Sequence, residues 1–182
     1  MEQVRASRTR LGNREPVTTD GTFAGFCVRV RPRLVGALAL HCGDRGVAEE
    51  LAQEALARAW ERWTQVQQMR NPSAWTYRVA FNLATSRFRR RAAEARARER
   101  SVPVSPPVPD HAQAVAVRQA VAALPPRRRA ALVLRYYLDL SVADTAEVMG
   151  CSQGAVKALC AQAATALQAH PLLTEVEDTI HG

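Results

Sequence analysis

The chain has 182 residues, a hydrophobic fraction of 47% and a formal net charge of +8. That length suits one large domain or two small ones, and the apolar fraction argues against general disorder. No apolar run approaches the ~20 residues that span a bilayer, and the basic first residues lack the apolar core and cleavage site of a secretory signal. We therefore expect a cytoplasmic protein with no membrane insertion.

The positive charge is concentrated in the first part of the chain. Residues 1–109 hold 19 arginines and 10 acidic residues, whereas residues 110–182 hold six basic and seven acidic residues. A basic surface of this kind is typical of proteins that bind a polyanion such as nucleic acid. The first part of the chain is therefore the stronger candidate for a nucleic-acid contact.

The cysteines and histidines do not indicate a metal site or a catalytic centre. The four cysteines show no CxxC spacing, and the four histidines are scattered along the chain. We interpret the cysteines as reduced, mostly buried thiols; a redox sensor or a zinc site is the alternative, which their spacing does not favour. Because no metal-ligand or triad spacing occurs, we predict no metal, no cofactor and no enzymatic activity.

Helical periodicity begins after a basic tail, residues 1–21. Apolar residues recur at three- and four-residue steps over Thr22–Cys42, which predicts one helix or a pair bent at Pro32. A second apolar stripe covers Val47–Trp63 and includes Trp60. These two segments open a first helical domain.

A third helix starts at a clear signal. Asn71 is suited to cap a helix, and Pro72 to occupy its first position. This helix runs into an arginine-rich stretch that completes the first domain, residues 22–100. Residues 101–112, rich in proline, are predicted to form an extended linker.

Four further helices are predicted in the second domain, residues 113–170. They cover Ala112–Leu124, Pro126–Leu138, Ser141–Met149 and Ser152–Gln168. Prolines separate the first two, and the serines are suited to cap the last two.

Residues 142–164 have the geometry of a helix-turn-helix. Ala146 is small where the two helices would cross, Gly150 allows the tight turn, and Val156 packs back onto the first helix. In such a unit the second helix reads base edges in the major groove; an ordinary helical hairpin is the alternative that spacing leaves open. Since no strand-like alternation occurs, we predict an all-α protein of two small helical domains, ending in an acidic tail, residues 171–182.

Four segments resemble the extracytoplasmic-function sigma factors of the sigma-70 family. They are Ala48–Trp60 (AEELAQEALARAW), Trp75–Asn82 (WTYRVAFN), Leu124–Tyr137 (LPPRRRAALVLRYY) and Met149–Lys157 (MGCSQGAVK). The resemblance implies that the first domain docks on core RNA polymerase and opens promoter DNA at the minus-ten element, while the second holds the minus-thirty-five element. Anti-sigma proteins commonly clamp this family, so an anti-sigma factor is a further candidate partner.

The resemblance also implies roles for particular positions. By this resemblance, core polymerase would bind a polar patch that consists of Glu49, Glu50, Gln53 and Glu54. Without the family match, these residues would be interpreted as a solvated helix face. Capture of the opened strand falls on the loop Thr64–Asn71 and on Asn82, Arg87 and Arg90. The Asn82 amide would bind a flipped base, and the arginines would bind phosphates. DNA reading by the second domain falls on Ser152, Gln153, Lys157 and Gln162.

The recognition helix departs from the family pattern. Three positions that are usually polar or basic hold Ala158, Leu159 and Gln162, so Lys157 is its single charge. Each missing contact removes on the order of 1–3 kcal/mol of DNA binding. Leu159 also shares the helix with other apolar residues that cannot all face one core, which predicts an exposed apolar patch.

Two hypotheses follow. The first is a sigma factor that directs transcription initiation by binding core polymerase and by recognising and melting promoter DNA. The second is a sigma-like interaction protein that docks on polymerase or another partner but reads promoter DNA weakly. A simple helix-turn-helix repressor is a more distant alternative, because it would leave the Glu49–Trp60 motif unexplained.

Overall fold

The computed structural model describes residues 22–98 and 112–171, and within these ranges the only regular elements are helices. The helices are α1 Phe23–Cys42, α2 Arg45–Glu61, α3 Trp63–Val66, α4 Pro72–Arg98, α5 Ala112–Ala123, α6 Pro126–Leu132, α7 Val142–Met149 and α8 Gln153–Gln168. A π-helical segment, Val133–Tyr137, continues α6. The all-α prediction is confirmed. The tail at 1–21, nearly all of the linker at 101–112 and nearly all of the acidic tail at 171–182 lie outside the described residues.

Helix α1 is continuous through Pro32. The Thr22 hydroxyl accepts a hydrogen bond from Gly25 N at 3.2 Å, and Gly43 ends the helix in the left-handed region with φ of 74°. A proline inside a helix removes one backbone hydrogen bond, but Pro32 lies on the exposed side, where water can reach the freed carbonyl. The structure thus forms one helix where the sequence left a bent pair open.

Helices α1, α2 and α4 pack around a common core. Leu34 and Leu38 of α1 are fully buried there, together with a row of α2 alanines, Ala48, Ala52, Ala55 and Ala59. Small side chains let the helix backbones approach closely, which accounts for the tight pairing of α1 with α2. Helix α4 starts as predicted, because Asn71 Oδ1 accepts from Ala74 N at 3.0 Å.

Trp60 corrects the predicted apolar stripe of α2. The stripe placed it with the core residues, but its side chain is 61% exposed. Its ring instead contacts Phe23 at the start of α1, with 4.9 Å between ring centroids. The end of α2 passes beyond the core, so a large aromatic group is left on the surface.

Helices α7 and α8 form the helix-turn-helix, and they share a small core with α6. Ala131, Ala146, Val156 and Cys160 are buried together. Gly150 adopts φ of 60° at the turn, and the Ser152 hydroxyl accepts from Ala155 N at 3.2 Å to cap α8. The predicted turn and caps are confirmed, because these are local requirements of the backbone.

The first group of helices, α1–α4, packs against the second group, α5–α8. Helix α1 contacts α5, α6 and the π-helical segment, and α4 contacts α7. The Tyr137 phenol lies directly beside Gly36, and Arg33 donates a hydrogen bond to Leu138 O at 3.3 Å. One core cluster therefore extends from Leu34 of α1 to Leu134 of the second group.

Candidate docking and nucleic-acid interfaces

The predicted polymerase-binding residues lie on the outer side of α2, and their carboxylates already have partners. Glu49 pairs with Arg45 at 3.1 Å and Glu54 with Arg58 at 2.8 Å, each one helical turn apart. Glu50 pairs with Arg87 of α4 at 2.8 Å. The structure brings all four predicted residues together on one helix.

These pairs make the face less acidic than the sequence alone indicates. The side chains of Glu50 and Glu54 remain 66% and 51% exposed, so each carboxylate can accept a further hydrogen bond. Exposed ion pairs contribute only about 0–1 kcal/mol each. A basic group on a partner can therefore share or replace the internal arginine at little cost in stability.

An aromatic groove beside this face was not identified from the sequence. Phe23, Leu56 and Trp60 line it, with Gln53 and Arg31 at its polar side. Helical spacing alone assigned Trp60 to the core, so periodicity gave no signal for the groove. Gln53 thus joins the predicted docking face to an exposed apolar surface.

The predicted strand-capture residues of α4 fall on two sides of that helix. Asn82 and Arg90 are exposed, whereas Arg87 is half-buried against α2 and bound to Glu50. At about 100° per residue, Arg87 lies about 140° around the helix from Asn82. The structure therefore groups Arg87 with the docking face.

Two arginines that the prediction omitted share a side of α4 with Asn82. Arg78 and Arg89 are exposed, and both lie within about 40° of Asn82 around the helix. Neither has an ion pair within residues 22–98 and 112–171, so their charges face solvent. The same helical periodicity, applied to α4, would have identified them.

The loop before α4 lies against the helix-turn-helix. Arg70 pairs with Asp144 of α7 at 2.9 Å, and Glu147 lines the crevice between them. The predicted strand-capture segment Thr64–Asn71 overlaps the short helix α3, whose Val66 is fully buried. In this arrangement α7 covers one side of the segment.

The predicted DNA-reading residues of the second group occupy the first three turns of α8. Gln153, Lys157 and Gln162 are exposed, and Ser152 is the N-cap. Gln162 Oε1 accepts a hydrogen bond from Arg128 Nε of α6 at 3.1 Å. This contact was not expected, since it joins two helices that the sequence places far apart.

The residues expected to form an apolar patch on α8, namely Leu159, Cys160 and Ala163, are covered in the structure. Cys160 and Ala163 are buried, and the half-buried Leu159 packs against the same small core. The prediction was wrong because α8 is covered on two sides, by α6 and by α7, which together accommodate a wider apolar sector than one neighbour would. The most exposed large apolar side chains lie elsewhere, at Val28 and Trp60 of the first group and at Tyr136 of the second.

Burial governs the titratable groups that are not on these surfaces. It raises the pKa of the Cys42 thiol to about 11 and also raises the pKa values of Cys27 and Cys160. Raised pKa values keep these thiols protonated and weakly reactive at neutral pH, which gives no support to a redox sensor. No group of three or more possible ligands in the described part of the chain could hold a metal ion. Among the described helices, none combines the length and apolar character needed to span a membrane.

A basic helical group followed by a helix-turn-helix defines a class of helical proteins suited to nucleic-acid recognition. Comparison with known families is more specific. Residues 27–94 match the model of Sigma-70 region 2, and residues 114–167 match that of Sigma-70, region 4. The two matches cover about two thirds of the chain in this order. The chain belongs to the sigma-70 family.

Several relatives and solved structures are similar to the chain. The RNA polymerase sigma-E factor of Streptomyces coelicolor is 32% identical over 60% of this chain and 63% of its own length. The ECF RNA polymerase sigma factor SigM of Mycobacterium tuberculosis is 37% identical over 50% of this chain and 47% of its own length. The chain thus spans less than two thirds of these relatives. The sigma factor RpoE of Bartonella quintana was solved in complex with the anti-sigma factor NepR. Its structure matches this one with a TM-score of 0.71 and 25% sequence identity, and the match covers 84% of this chain and 96% of that chain.

Proposed function

We propose that this protein is a sigma factor of the extracytoplasmic-function type that directs transcription initiation. It binds core RNA polymerase, recognises and melts promoter DNA, and carries out no covalent chemistry. The observation that carries the proposal is the presence of both sigma regions in one chain, in the order that these functions require. Its place of action is the cytoplasm, where polymerase meets the chromosome.

The first helical group is assigned two tasks. The outer face of α2, with Glu49, Glu50, Gln53 and Glu54, binds polymerase through charge and through the aromatic groove beside it. Asn82 and Arg90 on α4 capture the opened strand, where the amide binds a base and the guanidinium a phosphate. The exposed positions of Arg78 and Arg89 support their inclusion on this DNA surface. Arg87 would join the surface only after leaving Glu50.

The second group is assigned the minus-thirty-five element. Helix α8 presents Gln153 and Lys157 toward the major groove, and the Ser152 end of the helix lies near a phosphate. Gln162 contributes farther along the helix. An anti-sigma factor that covers these surfaces is the natural regulator, and the similar Bartonella quintana protein was solved in complex with an anti-sigma factor.

Run-off transcription tests the proposal directly. Core polymerase is combined with the purified chain and genomic promoter fragments, and transcripts are mapped. We expect discrete transcripts that require the chain. Absence of any specific transcript, together with absence of binding to core polymerase, would contradict the proposal.

A second function is favoured by one observation, the nearly neutral α8. A sigma-like interaction protein would keep the α2 docking face and lose sequence-specific initiation. Binding to core polymerase without promoter-dependent transcripts would support this alternative. Specific protection of both promoter elements in a footprint would exclude it.

A further inference from the structure

The outward face of α8 offers few groups to DNA beyond its first turns. Ala158, Ala161 and Ala164 are exposed there, and their methyl groups neither donate nor accept hydrogen bonds. The Thr165 hydroxyl donates to Ala161 O at 3.1 Å, so it is engaged with its own helix. Gln162 is therefore the long polar side chain in the middle of this face.

A neighbouring helix holds Gln162 in place. Helix α6 packs along α8, and its Arg128 donates from Nε to Gln162 Oε1 at 3.1 Å. Arg128 is half-buried, whereas Gln162 is exposed. The contact orients the amide and also sets a positive charge beside a helix whose own single charge is Lys157.

We propose that Arg128 and Gln162 act as one hydrogen-bond donor pair that reads guanine in the minus-thirty-five element. The proposal rests on the function proposed above and specifies the base that this part of α8 selects. An unconstrained glutamine reads adenine, because its amide donates to N7 and accepts from the N6 amino group. Here the amide oxygen accepts from Arg128 and is therefore directed toward α6. What the pair presents outward is the Gln162 NH₂ together with the remaining guanidinium N–H groups, all of them donors.

Donors favour guanine over adenine for a simple reason. Guanine shows two acceptors, O6 and N7, in the major groove, whereas adenine shows a donor beside its one acceptor. Arg128 is thus a positioning residue for Gln162 as well as a source of charge. Arg127, exposed on the same helix, makes no hydrogen bond to α8 within the described residues and is the matched control.

Base selection by the holoenzyme tests the proposal. The full chain is combined with core polymerase and a pool of duplexes randomised over both promoter elements, and the retained duplexes are sequenced. We expect guanine to be enriched at one upstream position. Arg128→Ala should shift that position toward adenine by roughly tenfold in relative enrichment, because the amide oxygen becomes free. Gln162→Ala should lose the preference there.

The controls separate base reading from charge and from folding. Arg127→Ala should weaken binding uniformly and lower its salt dependence while guanine stays enriched. Thermal unfolding of each variant checks that the fold is kept. Guanine retained in Arg128→Ala, or a wild-type holoenzyme without guanine preference at any upstream position, overturns the inference. Run-off transcription by the same preparation decides separately whether the proposed function holds.

Discussion

The contact between Gly36 and Tyr137 gives a test of how the two helical groups pack. Gly36 lies within α1, where alanine would stabilise the helix by about 1 kcal/mol relative to glycine. A methyl group at this position would overlap the Tyr137 hydroxyl and lie 2.8 Å from Cζ of that ring. Overpacking of this kind costs about 1–3 kcal/mol. The Gly36→Ala substitution therefore brings a gain within its own helix and a loss across the interface.

The sign of the effect should depend on Tyr137. With Tyr137 present, we expect Gly36→Ala to lower the free energy of unfolding by roughly 0–2 kcal/mol. In a Tyr137→Ala background the three nearest obstructing atoms are gone, and the same change should raise it by about 1 kcal/mol. The coupling between the two positions is then about 1–3 kcal/mol.

Urea unfolding followed by circular dichroism and tryptophan fluorescence measures all four proteins of this cycle. Gly154→Ala serves as a control within a helix, because its methyl group would approach only Ser152 Oγ, at 3.9 Å. Small-angle scattering checks whether Gly36→Ala also separates the two groups. An equal gain from Gly36→Ala in both backgrounds, with unchanged scattering, would refute the packing of α1 against the π-helical segment.

Three further changes have defined outcomes. Glu50→Lys combined with Glu54→Lys should weaken binding to core polymerase about tenfold or more, while it lowers the free energy of unfolding by only about 1–2 kcal/mol. Glu94→Lys is the control. An affinity for core polymerase equal to that of the unmodified protein would contradict the docking assignment. Burial, and then the charge of Arg129, lowers the pKa of His41 from 6.5 to about 4. Between pH 6.5 and about 4 the unfolded chain therefore binds a proton on His41 that the folded chain does not. The free energy of unfolding should fall by on the order of 3 kcal/mol as the pH drops through this range. In urea titrations His41→Gln should flatten this pH dependence, and an unchanged slope would exclude His41 as its source. Asp144→Asn frees Arg70 and should tighten holoenzyme binding to promoter DNA up to about fivefold, whereas weaker binding in a filter assay would show that the ion pair does not restrain the loop.

Local chemistry accounts for what the sequence predicted well. Asn71, Ser141 and Ser152 each cap a helix as expected, because a side-chain oxygen three residues before a free backbone N–H is sufficient to form the contact. The turn at Gly150 was predictable for the same reason, since it depends only on the backbone conformation of that glycine. Such features depend on a few neighbouring residues and are visible in the sequence.

Contacts between distant parts of the chain account for what the sequence did not predict. The Glu50–Arg87 pair joins residues 37 positions apart, and the Arg128–Gln162 hydrogen bond joins residues 34 apart. Neither leaves a periodic or compositional signal, because many arginines could serve either partner. The exposure of Trp60 was equally hidden, since a helical period shows which side of a helix is apolar but not where the core ends.

The pairing of arginines changes the meaning of the positive charge in the first part of the chain. Arg45, Arg58 and Arg87 are each bound to a glutamate of α2, so they serve the structure of the docking face. Arg78 and Arg89 have no such partner within the described residues and share a side of α4 with Asn82. Because an uncompensated charge attracts phosphate more strongly than a paired one, we expect Arg78 and Arg89 to contribute more to a DNA-binding surface than the three paired arginines do. Strand capture should therefore depend more on Arg78 and Arg89 than on Arg87, although the family resemblance assigned Arg87 and neither of the other two.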